Sequence, residues 1–303
     1  FKKEKIDGYL ISKNDEFFNE YIPKHNDRLK YVSNFSGSYG FALILKKNNY
    51  LFVDGRYSLQ ATKESGKFYK IAIIPNKMPY DIFKRKKILI GFDPRFFTKK
   101  TLNAFFAKTT CKFKPINKNL VDTIWKRKKI NYKFNFYKLP QISVGQNYRS
   151  KINDVVLKLK IIGADFQFIT ASENNAWLLN IRGRDTKYSP IPNSYILIDK
   201  NKNIHFFCDL KKITSSLKKS FKKINFYEIK TISEFLSRIK KKKFIIDRNT
   251  CSFLFETIIS KNNQILNLSD PIYNLKAIKT KNEIKNIKLA HIYDGIALTK
   301  YLF

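Results

Sequence analysis

Few side chains in this 303-residue chain combine a suitable type with a suitable spacing for chemistry, and one group stands apart. Asp54-Gly55-Arg56-Tyr57 follows an apolar run and opens an amphipathic one. That leaves Arg56 on a loop at a strand end, a place where side chains can face a ligand rather than the core. Arg56 offers a planar fork of five donors suited to carboxylates and peptide carbonyls, and Tyr57 adds an aromatic face and a hydroxyl. The plainer reading of Arg56 is a surface ion pair within its own domain. His25, His205 and His291 lie far apart in the sequence and read as packed or surface residues rather than ligands. Asp93 and Asp247 end matched apolar runs and read as turn or cap formers, as do Asp54 and Asp209. Arg182-Gly183-Arg184-Asp185 reads as a basic loop, solvated or in an interdomain contact. No G-x-G-x-x-G, P-loop, H-E-x-x-H or G-x-S-x-G occurs, and ten glycines leave little scope for phosphate cradles.

The net charge of +36 points first to nucleic acid, because Lys-rich surfaces bind phosphate by releasing counterions. Lys, however, far outnumbers Arg, and its excess accompanies heavy use of Asn, Ile, Phe and Tyr, all favoured by A/T-rich codons. The basic runs at 84–87 and 240–243 precede apolar strands and read as solvated loop entries. Nucleic-acid binding is therefore a remote alternative, and it requires an affinity that falls steeply with salt. No stretch approaches the roughly 18 apolar residues of a membrane span, and the N-terminus lacks the apolar region of a signal peptide. The absence of an initiator Met predicts a trimmed start. Cys111, Cys208 and Cys251 form an odd, widely spaced set without C-x-x-C, which predicts reduced thiols in a cytoplasmic protein.

The elements that position these residues can be read from apolar pattern. Gly8–Ser12 predicts a buried strand, residues 15–21 a short helix, and residues 31–40 a loop holding Gly37 and Gly40. Residues 41–45 and 50–54 flank Asn48-Asn49 and predict a hairpin, after which Gly55 allows a sharp turn. Residues 57–65 predict a helix, 68–74 a strand, 87–92 a strand buried on both faces, and 98–106 a helix. Residues 126–142 read as a linker. Ile152, Val155, Val156, Leu159 and Ile162 then keep a helical stripe up to a stop at Gly163.

Beyond Gly163 the chain repeats the first unit. Residues 165–170 stand where 7–12 stood, 177–183 where 31–37 did, and 195–199 with 204–209 match the hairpin. Residues 243–247 parallel 87–93, and 268–273 parallel 120–125. The Gly-Arg-Tyr sequence does not recur: its counterpart is Asp209-Leu210-Lys211. After Pro271, Thr280 and Glu283 form a capping-box pattern, and Ile284, Ile287, His291 and Leu298 lie near one face of a helix still running at Phe303. That stripe predicts a further domain beyond the end of the chain. The fold class expected is α/β, with two tandem domains of mixed sheets flanked by helices.

Five motifs, in order, carry a family resemblance: FSGSYG (35–40), VDGRYSLQA (53–61), SENNAWLLNIRG (172–183), LKAIK (275–279) and AHIYDG (290–295). The chain resembles the N-terminal half of the three-domain Xaa-Pro aminopeptidases, or aminopeptidase P, whose two N-terminal domains are creatinase-like. The resemblance implies domain I at 1–125, a linker at 126–143, domain II at 144–270, and the start of a truncated pita-bread metallopeptidase domain at 271–303. It implies release of an N-terminal residue preceding proline. Two divalent ions, manganese as a rule, would be held by two Asp, one His and two Glu outside this chain, which then has no catalytic or metal-binding residue and is inactive alone. It also implies that Arg56 and Tyr57 bind the peptide substrate, and that the full-length protein forms a homodimer. Arg184 departs from the family pattern, where an acidic or small residue is usual. The alternative is a non-catalytic peptide-binding or dimer-forming module made of the two domains.

Overall fold

Apolar residues at consecutive rather than alternate positions place GYLIS at the centre of a sheet, since both faces of such a strand need cover. In the chain's structure, a computed structural model that describes residues 1–83, 87–107, 109–127, 134–221 and 223–303, all five residues of β1 (Gly8–Ser12) are buried. β1 pairs antiparallel with β2 (Gly40–Leu45) and parallel with β5 (Leu89–Phe92). β3 (Asn49–Asp54) completes the hairpin with β2, and β4 (Lys70–Ile74) and β6 (Lys112–Pro115) run parallel to β3 and β5 at the edges. The order is β4-β3-β2-β1-β5-β6. Side-chain alternation divides the core accordingly. Leu10, Phe41, Leu43, Phe52 and Ile90 pack with Phe97, Leu102 and Phe105, while Tyr9, Ile11, Ala42, Leu51 and Val53 pack with Leu29, Phe35, Ala61 and Val121.

β7 (Tyr137–Lys138) forms a short antiparallel pair with β9 (Ile181–Arg182). The second large sheet contains β8 (Phe166–Ile169), β10 (Tyr195–Asp199), β11 (Ile204–Cys208), β12 (Ile224–Glu228), β13 (Lys243–Ile246) and β14 (Gln264–Asn267). Its order, β12-β11-β10-β8-β13-β14, is the same permutation as the first, and so are its pair directions. The expected α/β fold with two mixed, helix-flanked sheets is what the chain forms. Two compact units result: Phe1–Tyr132 with Thr186–Tyr188 and Arg248–Lys261, and Lys133–Asp185 with Ser189–Asp247 and Asn262–Phe303. Helix Phe253–Ser260 follows β13 in sequence and belongs to the first unit, where Phe253 N donates to Phe97 O at 2.7 Å and its ring meets Phe92 edge-on at 5.0 Å. Of the expected linker, residues 128–133 lie outside the described residues, as do residues 84–86 of the first basic run. Phe136 is buried in the second unit's core, its amide donating to Lys212 O at 2.9 Å.

Several local expectations differ from the structure. No helix forms over residues 15–21: the Asp15 carboxylate accepts the Phe17 amide at 3.0 Å, and Phe18 adopts a left-handed φ of 55°. The helix lies later, at Arg28–Ser33, where Asp27 caps the Lys30 amide and Asn34 ends it at φ 64°. Tyr31 is thus helical, and the Gly-containing loop begins at Asn34. The match between residues 31–37 and 177–183 holds, each containing a helix end closed by a left-handed asparagine, Asn34 at φ 64° and Asn180 at φ 56°. The edge strands β6, β12 and β14 were not expected from their mixed polar patterns.

Helix ends match the sequence more closely. Thr98, Asn147, Ser252 and Thr280 each accept an amide three residues on, and Thr280 with Glu283 forms the reciprocal capping box. The terminal helix Lys281–Leu302 has no buried residue, so Ile284, Ile287 and Leu298 are exposed. Among the described residues no helix is long and apolar enough to cross a membrane.

Motif 172–183 supplies the second unit's buried polar framework. Asn174 Nδ2 and Gln167 Nε2 each donate to the Asp270 carboxylate at 2.7 Å, Asn175 Nδ2 donates to Ser194 O at 2.8 Å, and Lys151 Nζ donates to Asn180 Oδ1 at 2.7 Å. Burial pushes the Asp270 carboxyl up to about 6 against these bonds.

Two measurements can check this framework and the helix that braces it. Because the folded pKa of Asp270 is raised, its contribution to stability is present below the unfolded carboxyl pKa and is lost as pH rises through about 6. Urea unfolding of the second unit between pH 4 and 7 should show that decline, and Asp270→Asn should flatten it. Gly163 ends helix Tyr148–Ile162 at φ 72°, so Gly163→Ala should cost about 1 kcal/mol in the same measurement.

Candidate functional site

The geometry around Arg56 begins with a carboxylate. Asp54 ends β3, and its Oδ1 accepts the Arg56 amide at 2.9 Å, turning the chain into the single 3-10 turn Gly55–Tyr57 before helix Ser58–Ser65. Gly55 is not the cause of this turn, contrary to the expectation from sequence. Its φ is not left-handed, and a Cβ there would meet nothing within 4 Å. The second unit builds the same turn with Asp209, whose Oδ1 accepts the Lys211 amide at 3.1 Å over Leu210–Lys212.

The Arg56 side chain then folds back on the same carboxylate. Nε donates to Oδ1 at 3.2 Å and Nη2 to Oδ2 at 2.7 Å, while the guanidinium carbon lies 5.4 Å from the Tyr57 ring centre. The hydrogen bond from the Arg56 side chain, with the charge behind it, holds the Asp54 carboxyl below the usual carboxylate range. Tyr57 is fixed from two sides: its ring meets Phe35 edge-on at 5.6 Å, and its hydroxyl shares a 2.8 Å hydrogen bond with Ser38 Oγ. Gly37 makes that packing possible, because a Cβ there would lie 2.3 Å from Phe35 Cζ and 2.9 Å from Tyr57 Cδ1. The structure therefore brings Arg56, Tyr57 and the 35–40 loop together.

The fork by itself is a device of the fold, since it occurs again at the end of β5. Arg95 donates Nε to Asp93 Oδ1 at 3.0 Å and Nη2 to Oδ2 at 2.6 Å, and Asn119 Nδ2 donates to Asp93 at 2.9 Å. The two arginines differ in access: the Arg56 side chain is 74% exposed and that of Arg95 34%. Asp247 is the counterpart of Asp93 in the second unit, its Oδ2 accepting the Asp270 amide at 3.0 Å. Asp54, Asp93 and Asp209 form turns or caps, as expected, whereas the Asp247 carboxylate accepts an amide 23 residues further on.

In the basic run at 182–185 Arg184 is exposed, as a solvated loop would have it, while Arg182 and Asp185 are pinned. Arg182 Nη1 donates to Ala176 O and Ile181 O at 3.0 Å, where positive charge suits the carbonyl end of helix Ser172–Leu179. Asp185 is buried against Lys212 and accepts the Asn193 amide at 2.8 Å, while Arg184 lies over the Phe134 ring at 4.9 Å. His205 shares a 3.2 Å hydrogen bond with the Tyr227 hydroxyl inside the sheet, and His291 is exposed on the terminal helix. Among the described residues Cys111, Cys208 and Cys251 form no disulfide. Among the described residues no group of three or more His, Cys, Asp or Glu side chains is placed to hold a metal ion.

Known proteins match nearly the whole length of this chain. Models of the creatinase/prolidase N-terminal domain match residues 1–124 and, separately, residues 128–283. A probable Xaa-Pro aminopeptidase P from Laccaria bicolor is 28% identical over 318 residues, covering 99% of this chain and 49% of the relative. Xaa-Pro aminopeptidase 1 from Dictyostelium discoideum is 29% identical over 327 residues, covering 99% and 51%. The crystal structure of X-prolyl aminopeptidase from Caenorhabditis elegans, described as a cytosolic enzyme with a di-nuclear active site, shares the fold with a TM-score of 0.88 at 24% identity, over 98% of this chain and 51% of that one. The chain spans about half the length of the curated relatives it matches. It belongs to the creatinase/prolidase N-terminal domain family, in two consecutive copies, and its homologues over 99% of its length are Xaa-Pro aminopeptidases.

Proposed function

We propose that this chain is the N-terminal half of a cytoplasmic, metal-dependent Xaa-Pro aminopeptidase, and that it presents Arg56 and Tyr57 to a peptide with proline at its second position. The observation that carries the reading is the asymmetry between the units. Both build the same aspartate-capped turn after the hairpin, yet only the first places an exposed guanidinium on it, held over an aromatic ring. A fixed guanidinium at a surface turn suits a carbonyl or carboxylate acceptor on an extended peptide. The two divalent ions, manganese in this reading, would be held by a further domain and would supply the Lewis acid for hydrolysis. What this chain's residues contribute is binding and orientation, and the full-length protein would act as a dimer.

The coding sequence beyond Phe303 offers the first check: an Asp, Asp, His, Glu, Glu series should occur within a further large domain of roughly 250 residues, and its absence would end the enzyme reading. In that complete enzyme a chelator should abolish cleavage of Xaa-Pro peptides and manganese should restore it. Arg56→Ala should lower kcat/KM roughly 10- to 100-fold with the far-UV circular dichroism unchanged, the scale expected for one lost charge-assisted contact. An unaltered kcat/KM would return Arg56 to a surface ion pair.

A further inference from the structure

Asp54 has two separable tasks. Its Oδ1 accepts the Arg56 backbone amide, and its two oxygens together take the Nε and Nη2 edge of the Arg56 side chain. In the second unit Asp209 performs the first task alone: it caps the Lys211 amide, and among the described residues Lys211 makes no ion pair. The turn therefore does not require the fork. The fork's effect falls on the guanidinium. An arginine side chain that is 74% exposed would otherwise sample many rotamers, and a ligand would bear the entropy of fixing it. With Nε and Nη2 held, Nη1 is the nitrogen left with no hydrogen bond among the described residues.

Resting on the reading of Arg56 as a substrate contact, we infer that Asp54 is its positioning residue: the carboxylate fixes one edge of the guanidinium so that Nη1 meets the peptide in a preset orientation. Asparagine at 54 can still accept the backbone amide, since Asn and Asp cap equally well, but it cannot form the charged two-oxygen fork. Lysine at 56 keeps the charge and cannot be held by two parallel bonds.

The test is steady-state kinetics of the complete enzyme on an Xaa-Pro tetrapeptide. Asp54→Asn should raise KM about 2- to 10-fold with little change in kcat, the scale of immobilising one long side chain. Arg56→Lys should do at least as much. The double variant Asp54→Asn/Arg56→Ala should be no worse than Arg56→Ala alone, because Asp54 acts only through Arg56. Asp209→Asn, which alters the matching cap in the second unit, should leave KM at the wild-type value. A wild-type KM in Asp54→Asn, or independent losses that multiply in the double variant, would overturn the inference while the Arg56 reading stands. A wild-type KM and kcat in Arg56→Ala would remove that reading and this inference with it.

Discussion

A carboxylate that accepts the backbone amide two residues further on is the interaction from which this structure's turns and its candidate site are made. Asp15, Asp54, Asp93, Asp199 and Asp209 all form it, at 2.8 to 3.1 Å. Four of the five stand at or just after the end of a strand, where the chain must leave the sheet with its next amide unpaired. The interaction costs no special backbone conformation, which is why Gly55 is dispensable to its own turn. It also places residue i+2 at the mouth of the sheet. Where that residue is an arginine, as at 56 and 95, the same carboxylate can capture the side chain as well.

The duplication separates what the fold needs from what it carries. Two six-stranded sheets share one strand permutation, and buried pairs tie matching positions together: Asp93 with Asn119 in the first unit, Asp247 with Asp270 in the second. Against that common ground the differences are few. One is the depth of the polar framework in the second unit, where buried asparagines and Lys151 brace helix Ser172–Leu179. The other is the occupant of the hairpin's exit turn, an exposed arginine over a tyrosine in one unit and a lysine in the other.

Much of the fold was legible in the sequence. Runs such as GYLIS, YILID and KFIID are apolar on both faces and announce central strands, and Thr280 with Glu283 announces a helix start. The edge strands β6 and β14 were not legible, because a strand paired on one side and half exposed needs no apolar run. Residues 15–21 have helical spacing, yet Phe18 turns the backbone left-handed at φ 55°, which a right-handed helix does not contain. The asparagines of motif 172–183 reveal their partners only in three dimensions, since Asn174 and Asp270 are 96 positions apart. The surface ion pair read for Arg56 is present, but its partner, Asp54, was hidden for another reason. Spacing of two residues says nothing about which way a side chain turns, and the same spacing at Asp93 and Arg95 yields a half-buried structural pair.

On the proposed reading, two turns of one construction differ in function. That difference is tested most directly by measuring kcat/KM on an Xaa-Pro peptide for the complete enzyme with the side chain at the second turn position removed in one unit at a time, Arg56→Ala beside Lys211→Ala. The account predicts a large loss for the first and wild-type activity for the second. Equal losses, or equal indifference, would contradict it.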